Sequence, residues 1–136
     1  MKQIVKRKLP ALTLMELLVV LAIIGIIVMM VLPNFMGVVS DARSVEAQQQ
    51  LKHVYTLQKT QFFKKAKYSS DLEELGFTQE KLASQGGNAY YEIEIVEASS
   101  SGFKAKATAS QDFDGDGVLN VWTIDQDQNL KEVTKD

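Results

Sequence analysis

From Leu17 to Val39 the chain runs for 23 residues without a charge, and beyond Ser40 the apolar positions fall into two different rhythms. A helix rises about 1.5 Å per residue, so the uncharged run makes about 35 Å of helix, enough for a hydrocarbon core about 30 Å thick. Past it, Ala47, Leu51, Val54, Tyr55, Leu57, Phe62 and Ala66 recur largely at spacings of three and four. That spacing predicts one face of an amphipathic helix, with Gln48, Gln49, Lys52, His53 and Lys59 on the other side. The helix is expected to reach about Lys67, where Lys64, Lys65 and Lys67 suit a carboxyl-terminal turn. Pro33 lacks the amide hydrogen that would bond the Met29 carbonyl, so a kink or local opening is expected there.

The rhythm changes to two at Tyr90. "YSSDLEELGF" and "TQEKLASQGGN" come first: a capped turn ended by Gly76 and anchored by Leu72, Leu75 and Phe77, then a connection broken at Gly86-Gly87. Tyr91, Ile93 and Ile95 then alternate with Glu92 and Glu94, and Phe103, Ala105, Ala107 and Ala109 with Lys104, Lys106 and Thr108. Each is a strand with one buried face, joined by a turn at Ser99-Ser100-Ser101-Gly102. A third strand is expected over about Val118 to Ile124 and a fourth near Leu130 to Val133. Four short antiparallel strands need a cover for one face, and the apolar stripe of the helix supplies it. The expected fold is α+β, a long amino-terminal helix packed on a four-stranded antiparallel sheet. Its segments are residues 12–39 for the membrane span, 40–67 for the amphipathic helix and 68–136 for the loop region and sheet.

Charge gives the span a direction. Lys2, Lys6, Arg7 and Lys8 precede it and hold that end in the cytoplasm, which places the head outside, anchored by a single pass in the inner membrane. The chain has 15 basic and 17 acidic residues; without its first 11 residues the basic count falls to 11 and the formal balance moves from −2 to −6. Such a head has no electrostatic footprint for nucleic acid. There is no cysteine to staple it. One lone histidine, no cysteine and no glycine-rich phosphate loop also leave no catalytic constellation, so an enzyme is not expected. The apolar run is too long for the core of a secretory signal, and no small-residue cleavage pattern closes it.

A plain signal anchor explains the span and its basic flank but not Glu16, a single carboxylate at the entrance of the apolar run. Such a group costs a few kcal/mol at membrane depth unless it finds a partner. Two partners are open. Thr13-Leu14-Met15-Glu16 fits a capping box, in which hydroxyl and carboxylate answer each other's amides. Alternatively, cleavage after Ala11 creates a free amine on Leu12, and that amine on a neighbouring copy can neutralise Glu16 inside a packed bundle.

The stretch "ALTLMELLVVLAIIGIIVMMVLP" resembles the amino-terminal signature of type IV pilins and type II secretion pseudopilins. The resemblance covers about the first forty residues: a short basic leader, a small residue before the cut, a threonine, two apolar residues, a glutamate, then about twenty apolar positions. It implies that residues 1–11 are a leader removed by a membrane prepilin peptidase, which methylates the new amine of Leu12. It implies that Glu16, with Leu12 and Thr13, directs assembly into a filament on an assembly platform, and that copies of the chain and related pilins are its partners. Gly25 and Pro33 stand where the family carries helix-softening residues. The sequence departs from the pattern in having Ala11 in place of glycine, Leu12 in place of phenylalanine or methionine, and Pro10 just ahead of the cut. The expected function is a structural subunit, pilin or pseudopilin; the alternative is a solitary membrane-anchored binding module outside the cytoplasm.

"QDFDGDGVLN" is the one stretch with metal-ligand character. Asp112, Asp114 and Asp116 alternate, Gly115 and Gly117 free the backbone, and Asn120 follows. An EF-hand needs an acid at its twelfth position, which is Thr123 here, so that motif is excluded. A looser calcium loop fits the oxygen chemistry, and a plain acidic hairpin turn fits the Asp-Gly pairs equally.

Overall fold

The computed structural model describes residues 11–136. The basic flank of Lys2, Lys6, Arg7 and Lys8, Pro10, and the body of the expected leader lie outside the described residues. The element order is α1 (Leu14–Lys65), a short 3-10 turn (Ala83–Gln85), β1 (Tyr91–Ala98), β2 (Phe103–Ala109), β3 (Val121–Asp125) and β4 (Lys131–Thr134). The chain divides into two compact units, one ending at Phe35 and the other running from Met36 to Asp136.

The first unit is the apolar part of α1. Every residue from Ala11 to Val38 is exposed, so the isolated chain buries none of this helix's side chains. It is the one helix among the described residues long and apolar enough to cross a membrane. Helix runs without interruption through Pro33.

The second unit is the head. Its four strands form one antiparallel sheet in the order β1-β2-β3-β4, the simplest meander. Tyr91 stands opposite Ala109, Ile95 opposite Ala105, and Ala105 in turn opposite Ile124. These side chains share one face, and with Phe103 and Ala107 they are buried together against Ala47, Leu51 and Val54 of α1. The alanines of β2 matter here, because small side chains in the central strand let the helix approach the sheet closely. Register slips between Ile95 and Glu97 and between Val121 and Trp122, irregularities that bend and twist edge strands.

Three expectations are corrected in detail. The helix stops at Lys65 rather than Lys67, because Ala66 takes a left-handed φ of 55° while its N–H donates to the Phe62 carbonyl at 2.8 Å. The third strand begins at Val121, since residues 118–120 still belong to the preceding loop. The buried stripe of the helix also contains Gln58 and Gln61. Gln58 is admitted because its amide acts as a piece of backbone: Nε2 donates to the Ser69 carbonyl at 2.6 Å, and Oε1 accepts from the Ser69 N–H at 3.0 Å. A buried amide with both groups bonded has little desolvation cost left to repay.

The outer edge of β1 is treated in the same way. Gln79 Nε2 donates to the Tyr91 carbonyl and Gln79 Oε1 accepts from the Ile93 N–H, both at 3.0 Å. Glu46 of α1 accepts from the Tyr90 N–H at 2.9 Å, fixing where the strand begins.

Candidate functional site

At the start of α1 the structure closes the capping box. Glu16 Oε2 accepts from the Thr13 N–H at 2.8 Å and from Thr13 Oγ1 at 3.2 Å, while the Glu16 N–H donates to Thr13 Oγ1 at 3.2 Å. Two of the four amides that a helix start leaves unpaired are thereby answered. Leu12 is 73% exposed and not part of the helix. Its main-chain nitrogen therefore stands at an accessible, extended position beside the carboxylate that caps the next turn. Gly25 sits in the helix with nothing within 4 Å of where a side chain would project.

The acidic loop lies in the head. Asp112, Asp114 and Asp116 come together, and they are joined by Asp136, so that one carboxylate oxygen from each lies within 4.8 Å of the others. The loop folds around its own carboxylates. Asp112 Oδ1 accepts from the Gly115 N–H and Oδ2 from the Gly117 N–H, each at 2.6 Å. The Asp116 and Val118 amides donate to Asp114 and Asp116 at 3.0 and 2.7 Å. Gly115 and Gly117 hold φ of 87° and 88°, which a side chain would strain. The Gly117 and Gly115 amides hold the Asp112 carboxyl below the usual carboxylate range.

Asp136 was not legible as a member of this group. Its carboxylate accepts from the Phe113 N–H at 2.8 Å and the Asp114 N–H at 3.2 Å, and its main-chain oxygen accepts from Ser40 Oγ at 3.0 Å. Asn120, the expected fourth ligand, is occupied elsewhere. It is buried; its Oδ1 accepts from the Tyr91 hydroxyl at 2.8 Å, and its Nδ2 donates to Glu132 Oε1 at 2.7 Å and the Thr134 carbonyl at 3.1 Å. Asn120 thus ties β4 to the core. Burial pushes the Tyr91 phenol well above its ordinary value, and the Asp136 and Glu46 carboxylates push it further, so the hydroxyl stays a donor.

Two comparisons bear on this arrangement. A family model described as type IV minor pilin ComP, DNA uptake sequence receptor, matches residues 33–117, more than half of the chain. The type IV major pilin protein PilA of Myxococcus xanthus (strain DK1622) is 41% identical over 78 residues, which is 57% of this chain and 33% of the relative. The match thus spans about a third of that relative's length.

Proposed function

The chain belongs to the type IV pilin family, and from that premise we propose that it is a filament subunit, cut after Ala11, methylated at the Leu12 amine and assembled through its apolar helix. Membership makes it a structural pilin and not an enzyme. The observation that carries the subunit reading is the uncovered helix: residues 11–38 are all exposed, and a helix apolar all round needs lipid or other helices about it. Before assembly the bilayer is that surrounding, with the head outside the cytoplasm; in the filament it is other copies of the helix. Prepilin peptidase and an assembly platform are the partners this route requires.

Glu16 then has two successive roles. In the separate chain it caps its own helix through Thr13. In the filament it pairs with the Leu12 amine of an adjacent copy, because both charges are costly in an apolar bundle and each cancels the other. Intact mass of the chain taken from sheared filaments tests the processing, with Leu12 plus one methyl group as the expected start. Assembled material that retains Met1 to Ala11 would overturn it. A solitary membrane-anchored module would keep those residues and stay monomeric.

We propose further that Asp112, Asp114, Asp116 and Asp136 hold a calcium ion that stabilises the head. The gathering of four carboxylates, with only oxygen to offer, supports this, since calcium takes six to eight oxygen ligands and waters can complete the set. The matched family description names a DNA uptake sequence receptor; the acidic balance of this chain favours a subunit role without nucleic acid.

A further inference from the structure

The head carries two amphipathic patches at opposite ends. One end is marked by the pairing of Tyr91 with Ala109 and by the bond from Asn120 to the Thr134 carbonyl. The other is marked by the pairing of Ala98 with Phe103 and the bond from the Tyr68 N–H to the Ser99 carbonyl. Glu46 of α1 reaches the first end, and the Tyr55 ring lies 6.2 Å from Phe103 at the second, so the helix runs the length of the head between them.

At the second end Phe63 is 84% exposed, the most exposed large apolar side chain of the head. Lys64 and Lys67 beside it are exposed, and among the described residues neither is in an ion pair. Their neighbours are engaged: Lys65 pairs with Glu74 at 2.5 Å, and Lys59 lies 5.4 Å from the Tyr55 ring. At the first end Val118 and Leu119 are 39% and 40% exposed, directly after the exposed Asp114 and Asp116. Arg43, the nearest cation to that loop, is held over the Tyr90 and Phe113 rings at 4.4 and 4.7 Å. A bound divalent ion would still leave four carboxylates with a net negative charge.

An apolar anchor flanked by lysines and an apolar pair flanked by aspartates are complementary in both properties. We propose that the Phe63, Lys64 and Lys67 patch of one head docks on the Asp114, Asp116, Val118 and Leu119 patch of a second copy of this chain. The inference rests on the subunit reading and names a second contact within it, between heads rather than between helices. Because the patches lie at opposite ends of one head, the contact is head-to-tail and does not close on itself, which is the geometry of an open polymer. The aromatic side chain supplies the buried anchor, and the charges fix orientation more than strength.

Charge exchange in the full-length chain tests it, with sheared filaments measured against the membrane pool. Lys64→Glu with Lys67→Glu is expected to lower filament yield several-fold, and so is Asp114→Lys with Asp116→Lys; all four together are expected to restore it. Asp114→Asn with Asp116→Asn keeps the side-chain acceptors that shape the loop, so a drop there is a charge effect and not misfolding. Carbodiimide treatment of parent filaments is expected to join a peptide containing Lys64 or Lys67 to one containing Asp114 or Asp116. A four-fold variant with parent-like head melting but no recovery overturns the docking, as does crosslinked filament lacking that peptide pair. Lysine variants that assemble like the parent yet lose retention of double-stranded DNA would hand the patch to nucleic acid. Absence of filaments from the parent chain would sink the subunit reading and the docking together, whereas a normal parent with indifferent variants sinks the docking alone.

Discussion

The apolar half of α1 and the head obey opposite rules of burial. In the helix, Leu21 is 56% exposed amid neighbours of the same kind; in the head, Leu51 is fully buried beneath the sheet. The head satisfies its apolar surface by itself, and the helix depends on what surrounds it. One chain therefore carries a self-sufficient fold and a segment whose stability is decided by its company, lipid before assembly and other helices afterwards. A defect in the first should be read in melting, and a defect in the second in assembly.

The largest expected separation is at Glu16. Glu16→Gln keeps an acceptor for the Thr13 amide but cannot neutralise an ammonium. If the carboxylate pairs with the Leu12 amine in the filament, removing one partner of that buried pair costs about 3–5 kcal/mol, and filament yield collapses while insertion, cleavage and head melting stay normal. If it serves only as a cap, the loss is about 1 kcal/mol or less and assembly is nearly normal. Quantifying sheared filaments against the membrane pool decides between them.

The same truncation made in both regions sharpens the contrast. Leu51→Ala should lower head stability by about 2–5 kcal/mol, as cavities in packed cores do. Leu21→Ala should leave the head's melting midpoint where it was, measured by near-ultraviolet circular dichroism of the detergent-solubilised chain. A head that softens on Leu21→Ala would break the division.

Calcium comes next. A bound ion stabilises the folded state by mass action, about 2.7 kcal/mol when its concentration is about 100 times the dissociation constant. The head's midpoint should rise from chelator to millimolar calcium, and Asp136→Asn should reduce the rise. An unchanged midpoint would leave the loop as an acidic turn closed by its own amides.

The smallest effect is acid sensitivity at the far end of the head. Bonding to Lys65 and then Ser69 lowers the Glu74 carboxyl from 4.5 to about 2. A carboxyl lowered by folding contributes stability that is fully present above its ordinary value and is lost as pH falls towards the folded one. The parent's midpoint should therefore fall more steeply than that of Glu74→Gln between about pH 5 and about pH 2. The side chain is 39% exposed, so solvent screening keeps the difference modest. Equal slopes would show that the pair contributes nothing.

Much of the architecture was legible because it is written in periods. The alternation from Tyr91 to Ala109 and the three-and-four stripe from Ala47 each specify which face is buried, and the sheet and helix meet on those faces. The capping box was legible for the same local reason, since its residues are three apart. Gln58 was not, because its burial depends on the main chain of Ser69, which no pattern within the helix announces. Asp136 was missed and Asn120 misplaced because the loop meets the last residue only through the meander. Once β4 lies beside β3, Asp136 reaches the Phe113 amide, and the Asn120 side chain turns inward to Tyr91.

The Gln79 side chain on β1 has a consequence at high concentration. Wherever identical heads crowd together, a bare strand edge is a template on which another copy can add its own strand, and cross-β growth follows. With one amide the chain occupies both the carbonyl of Tyr91 and the N–H of Ile93, so a second strand arriving at that edge finds its first two hydrogen bonds already taken. Copies that meet there are turned away from fusing their sheets, and contact is left to side chains, whose association can be undone without unfolding either partner.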